Sequence, residues 1–225
     1  MDPVLDLQPP QSYLQLCETL SSRECEPTVT PALGELTRVL AASRPGGVFL
    51  ALGRGAGELA TWILDGMDLS ARMVIVIQSE DEADMLRALL GNDLRVAVHV
   101  QNAVSFLRDV RDHRFDLVAD LSLGPAAVLT RLALGRLALG AFYMSLHTPE
   151  QLARSLGLQN APGAAPEEAL DSLHGHSFVL AHLRGDWGVS VLVHGSQKFQ
   201  AKRRGGRRAR KGVTSLFPSN PSRRR

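Results

Sequence analysis

"GGVFLALGRGAGELATWI", residues 46–63, decides how this chain is read. An unbroken apolar run, Val48 to Leu52, meets three alternate glycines, Gly53, Gly55 and Gly57, and then passes into helix-forming residues. Such a run marks a strand buried on both faces, as in a parallel sheet. Glycines at its end let the backbone turn tightly and bring amide N–H groups close to a ligand at the start of a helix. Three uses fit the loop. It can be a plain strand–helix turn. It can be forced into the dinucleotide fingerprint as Gly55-x-Gly57-x-x-Ala60, which places the first glycine late. It matches acid-x-G-x-G-x-G better, with Ala51 standing where that pattern carries an acid.

The segments on either side follow the same alternation. Upstream, Leu14, Leu16 and Leu20 fall in one helical segment and Leu33, Leu36, Val39 and Leu40 in another, with "CEPTVTP" between them. Thr30-Pro31 is a helix start, with a capping oxygen followed by a proline in the first turn. Downstream, "RMVIVIQ" reads as a second buried strand and "EDEADMLRALLG" as a helix whose Met85, Leu86, Leu89 and Leu90 share a face. "LRVAVHV" is a third strand, "AVSFLRDV" a short helix, "RFDLVAD" a fourth strand, "PAAVLTRLALGRL" a helix and "GAFYMSL" a fifth strand. Strands and helices at this spacing imply parallel pairing with right-handed crossovers, a doubly wound, Rossmann-like α/β sheet. The end breaks the pattern. "HSFVLAHLR" and "WGVSVLVHG" are separated only by Gly185-Asp186, so they form an antiparallel hairpin.

Size and composition narrow the class. With 225 residues, 44% of them hydrophobic, the chain can bury one good core. The start, "MDPVLDLQPPQ", is no signal peptide, and the greasiest stretch, around Leu129 to Leu146, is interrupted by Arg131, Arg136 and two glycines, so no membrane span is expected. Two cysteines, Cys17 and Cys25, are too few for a disulfide framework, and a reducing cytoplasm fits. The net charge of +2 conceals an asymmetry: residues 198–225 carry eleven Lys or Arg and no acid, leaving 14 basic against 23 acidic residues before them. The organisation expected is an N-terminal helical segment, 1–45, an α/β domain, 46–196, and a basic disordered tail, 197–225. The tail suits phosphate-backbone contact with RNA or DNA; its plainer use is as a solvated tail.

At "TPALGELTRVLAASRPGGVFLALGRGAGELATWILDGMD", "RFDLVAD" and the closing hairpin, the chain resembles the class I S-adenosylmethionine-dependent methyltransferases of the bacterial small O-methyltransferase type, over about residues 28–194. The resemblance implies a seven-stranded, mostly parallel sheet whose last strand is antiparallel, with S-adenosylmethionine as cofactor. It places the cofactor on Ala51, Gly53, Gly55 and Gly57 in the loop, on Gln78 and Ser79 after the second strand (or on Glu80 with a two-residue shift), on Asn102 and Ala103 after the third, and on Asp120 after the fourth. Three of the family's acids are thus replaced, at Ala51, Gln78 and Asn102. A hydrogen bond to a charged acceptor contributes about 1.5–3 kcal/mol and a neutral one about 0.5–1.5, so the replacements together weaken binding by roughly a hundredfold to a thousandfold.

Asp120 and His147, at the carboxyl ends of the fourth and fifth strands, are the candidates for a catalytic base. Many relatives hold a divalent metal with an acidic pair after the fifth strand; Ser145-Leu146-His147 stands there instead, and no metal is expected. His174, His176, His182 and His194 match no zinc spacing. Two functions follow: methyl transfer to an oxygen or nitrogen of a small-molecule or RNA-borne acceptor, or a non-catalytic descendant kept as an interaction module that carries the basic tail to nucleic acid. The N-terminal helices offer a surface for a homodimer.

Overall fold

In the computed structural model, which describes residues 8–122, 127–157, 178–183 and 188–195, seven strands form one sheet. They are β1 (Val48–Gly53), β2 (Arg72–Ile77), β3 (Val96–Val100), β4 (Phe115–Leu121), β5 (Leu137–Ser145), β6 (Phe178–Leu183) and β7 (Val189–His194), in the order β3-β2-β1-β4-β5-β7-β6. β1 to β5 pair in parallel, while β7 lies antiparallel between β5 and β6. This is the doubly wound sheet with a terminal hairpin that the sequence implies. The order reverses at β1, between β2 and β4, and a sheet of this kind opens its ligand crevice beside such a reversal, at the carboxyl ends of the strands.

Among the described residues seven helices flank the sheet: α1 (Gln11–Ser22), α2 (Pro31–Ala42), α3 (Ala56–Gly66), α4 (Glu80–Leu90), α5 (Ala103–Asp109), α6 (Ala127–Leu134) and α7 (Pro149–Ser155). Two apolar clusters cover its two faces. One joins Tyr13, Leu33, Trp62, Ile63 and Leu86 from α1–α4 to Phe49, Met73 and Ile75 of the sheet. The other joins Phe106, Leu129 and Leu152 from α5–α7 to Leu50, Phe115, Tyr143 and Leu192. The N-terminal helices therefore complete the first layer: the Tyr13 ring packs at a tilt against Trp62 with centroids 5.2 Å apart, and its hydroxyl donates to Val29 O at 2.7 Å. Gly34 of α2 permits the close approach of α3, because a Cβ there would overlap the Trp62 indole.

Local chemistry sets the boundaries. Thr30 caps α2 by accepting from Leu33 N, with Pro31 in the first turn, as the sequence indicates. The sequence extends α6 to Leu137 and starts the next strand at Gly140; the helix instead ends at Leu134, where Gly135 N closes the last turn on Arg131 O, and β5 already begins at Leu137. One helix was not foreseen. Thr148 and Gln151 form a reciprocal capping box ahead of α7, and "TPEQ" carries that signature in plain letters. The linker "NAPGAAP", the helix after it, Gly185-Asp186 and the tail lie outside the described residues. No helix among the described residues is long and apolar enough to cross a membrane.

Candidate cofactor site

Beside β1, at the carboxyl ends of β1 to β4, lies a cleft of about 520 Å³. Gly53 and Arg54 form one end, Val76 to Ser79 and Glu82 one wall, Gln101 to Val104 the next, and Ser122 with Ala127 to Leu129 the last. Its floor is therefore the point where successive strands hand over to helices. Three of those helices bring first-turn residues to it, α4 with Glu82, α5 with Ala103 and Val104, and α6 with Ala127 to Leu129, where unpaired N–H groups concentrate.

The predicted cofactor residues divide sharply. Gly53, Gln78, Ser79, Asn102 and Ala103 all line the cleft. Gly53 is irreplaceable in shape: its φ is +82°, and a Cβ would come within 2.6 Å of Ser122 N. Gln78 is exposed at the tip of β2. Ser79 caps α4, its oxygen accepting from Glu82 N at 3.3 Å, which leaves the hydroxyl proton to donate. Asn102 caps α5, with Oδ1 accepting from Val104 N and Ser105 N at 3.0 and 3.4 Å. That oxygen is spent on the helix, so only the side-chain NH₂ is left for a ligand.

The other residues of the loop have structural roles. Ala51 is fully buried in β1, paired in register with Ile75 and Ala119, and its methyl belongs to the core rather than to the cleft. Gly55, with φ +75°, caps α3 and lies against Thr28 and Val29. Gly57 is buried, and a Cβ there would approach Leu86 of α4 at 2.7 Å; it is a helix-packing glycine. Gly55 and Gly57 thus have roles in the turn and in helix packing, while Gly53 lines the cleft.

Asp120 and His147, the two candidate bases, are both buried. Asp120 is fully buried; Oδ1 accepts from Ser122 N at 3.0 Å and Oδ2 from the Tyr143 hydroxyl at 2.8 Å. Burial, helped by the Asp120 charge, pushes the Tyr143 hydroxyl far above its ordinary range, so it stays a donor. The carboxylate fixes the Asp120–Ser122 turn beside Gly53 and lines no part of the cleft. His147 is 4% exposed, its N–H donating to Ser145 Oγ at 3.2 Å, and it too lies off the cleft wall. Among the described residues no group of three His, Cys, Asp or Glu could hold a metal ion.

Two carboxylates matter that the sequence reading passed over. Glu58, in the first turn of α3, is buried and accepts from Thr28 N, Thr28 Oγ1 and Val29 N, each at 2.8 Å, pinning the segment before α2 to the glycine loop. Glu82, in the first turn of α4, lines the cleft itself. Desolvation, then the nearby Glu58 charge, raise its carboxyl above the ordinary range. Glu80, the acid that a two-residue shift would favour, points instead to Arg87 at 3.4 Å and is largely exposed.

Comparison with solved structures adds an independent reading of this architecture. The O-methyltransferase TomG of Streptomyces achromogenes, involved in tomaymycin synthesis and solved with SAM, superposes with a TM-score of 0.67 at 17% identity, covering 85% of this chain and 93% of its own. The Bacillus cereus O-methyltransferase solved with SAH gives 0.64 at 17%, covering 84% and 93%, and a Geobacter sulfurreducens methyltransferase gives 0.64 at 19%, covering 85% and 92%. The chain has the class I methyltransferase fold. No family model and no curated protein matches it in sequence. In that fold the cleft lies along β1 to β4, and Glu82 is the one carboxylate among the described residues that line it.

Proposed function

We propose that this chain binds S-adenosylmethionine in the cleft and transfers its methyl group to an oxygen or nitrogen of a small-molecule acceptor, without a bound metal. The cleft itself carries the reading: it lies at the carboxyl edge of β1 to β4, and Gln78, Ser79, Glu82 and Asn102 supply a polar set suited to a nucleoside. Ser79 and the Asn102 NH₂ donate, Glu82 accepts, and Gln78 does both. Val76, Ala103, Val104 and Leu129 offer apolar walls for a planar base. These residues fit the adenosine portion; Ala51 gives nothing to the amino-acid portion, where the backbone of the loop is left to serve. Bound there, the cofactor supplies an electrophilic methyl group.

With Asp120 and His147 turned into the core, this chain contributes placement rather than a strand-end base. The acceptor's proton goes to solvent. The reading without a bound metal is supported by Asp120, whose two oxygens accept from Ser122 N and the Tyr143 hydroxyl. The tail, residues 198–225, with its eleven basic residues, extends the reading to an RNA-borne acceptor. A second reading, a binding module without turnover, is favoured by Ala51 in the acid position and by the buried Asp120.

Calorimetric titration of the full chain with S-adenosylmethionine and S-adenosylhomocysteine tests the proposal. Saturable binding at about tens to hundreds of micromolar is expected, about a hundredfold weaker than a site with all its acids. Methyl transfer, once an acceptor is found, should be unaffected by EDTA. No binding of either ligand at millimolar concentration would overturn the cofactor reading, and binding without turnover across acceptor classes would favour the second.

A further inference from the structure

The first turns of α4 carry four acids, Glu80, Asp81, Glu82 and Asp84, and the fold treats one of them differently. Glu80 and Asp84 both reach Arg87, at 3.4 and 2.9 Å, on the outer face of the helix. Asp81 is exposed. Glu82 is partly buried, turned into the cleft, and its carboxylate has no hydrogen-bond or ion-pair partner among the described residues. A carboxylate withdrawn from water without donors costs free energy, so this one stands ready for a ligand that brings them. Its neighbours on the same wall are Gln78 and Ser79, the strand-end pair.

We infer that the Glu82 carboxylate, one helical turn beyond the strand end, receives the vicinal hydroxyl pair of the ligand's ribose. Two adjacent O–H donors match two carboxylate oxygens, and hydrogen bonds to an ionised acceptor are the strong kind. A cationic group is the poorer partner, because Arg54 stands in the same cleft. Ser79 holds Glu82 in place through the capping bond to its N–H, so the carboxylate is presented from a fixed first turn. The carboxylate that Gln78 lacks is thus recovered four residues later, from a helix instead of a strand. This inference rests on the cleft taking an adenosine-bearing ligand.

The test is calorimetry on the full chain and on its Glu82→Gln variant with three probes: S-adenosylhomocysteine, adenosine and 2′,3′-dideoxyadenosine. Glu82→Gln should weaken the first two by about tenfold to a hundredfold and leave the dideoxy compound unchanged. The variant's melting temperature should be equal or higher, which separates a ligand role from a structural one. Equal losses for adenosine and dideoxyadenosine, or no loss for either, would overturn the inference. Adenosine binding that depends on Glu82 and on the diol, with no affinity for S-adenosylhomocysteine, would sustain Glu82 and remove the cofactor proposal. A wild-type chain that binds neither would remove both.

Discussion

The two halves of one sheet edge make opposite use of their polar residues. Over β2 and β3, Gln78, Ser79, Glu82 and Asn102 face a cleft and keep donors or acceptors uncommitted. Over β4 and β5, Asp120, Tyr143, Ser145 and His147 are buried, and Asp120 is satisfied from within by Ser122 N and the Tyr143 hydroxyl. In an α/β sheet the whole carboxyl edge is available for chemistry. Here one side opens on a cleft and the other holds a turn. Polar identity at a strand end therefore says little about function until its hydrogen bonds are assigned.

The contrast can be broken hardest at Tyr143. Tyr143→Phe deletes one of two donors to a fully buried carboxylate, so it should destabilise the protein by about 3 kcal/mol, read by chemical denaturation. Binding of S-adenosylhomocysteine should change less than twofold. A large loss of affinity with little loss of stability would show Asp120 serving the cleft after all. Gly53 sits between the halves. Gly53→Ala puts a Cβ at φ +82° and against Ser122 N, which should cost about 2 kcal/mol of stability and also weaken the ligand, because the same backbone lines the cleft. Loss of stability alone would assign Gly53 to the turn only.

The fold was legible because burial leaves periodic traces. "GVFLAL" and "RMVIVIQ" can only be strands covered on both faces, and the short link at Gly185-Asp186 forces the antiparallel ending. The site was legible in part. Position along the chain located Gly53, Gln78, Ser79, Asn102 and Ala103 on the cleft wall. It could not say that the Asn102 oxygen is used up in capping α5, or that Tyr143, 23 residues away in sequence, would absorb Asp120. Glu82 escaped notice because "EDEAD" reads as a solvated helix start. Only the rotation of α4, fixed by Ala83, Leu86 and Leu90 in the core, turns that one acid inward. The Gly55 and Gly57 pattern reads as ligand chemistry in the sequence, and only the structure shows that these positions also lie against Thr28, Val29 and Leu86.

A smaller effect separates the free half from the committed one by pH. The Glu82 carboxyl is raised above the unfolded value, first by desolvation and then by Glu58 on α3, with Arg54 the cation lining the same cleft. A raised carboxyl binds its proton more tightly in the folded state, so its contribution is favourable below the ordinary carboxylate range and is lost as pH rises through the raised value. Glu82→Gln removes that loss. The variant should melt about 1–3 °C above wild type at pH 7, and the difference should vanish near pH 4. Melting curves at the two values check it; a variant less stable at pH 7 would mean that Glu82 has a partner within the fold.

The finest discrimination comes from restoring the missing strand-end acid. Gln78→Glu places a carboxylate at the tip of β2, on the cleft wall beside Glu82. If Glu82 already receives the ribose diol, the new acid finds no donors to take and adds only repulsion between two like charges, which disfavours having both ionised. The affinity for S-adenosylhomocysteine should then change by less than about threefold, within the ~0.7 kcal/mol that a weak rim contact supplies. In the Glu82→Gln background the same substitution meets a vacant diol and an uncharged neighbour, and it should recover most of the tenfold to hundredfold loss. A gain of about tenfold in the wild-type background would place the diol at the strand tip, with Glu82 idle. The double variant therefore decides which element, strand or helix, holds the acid that the cleft uses.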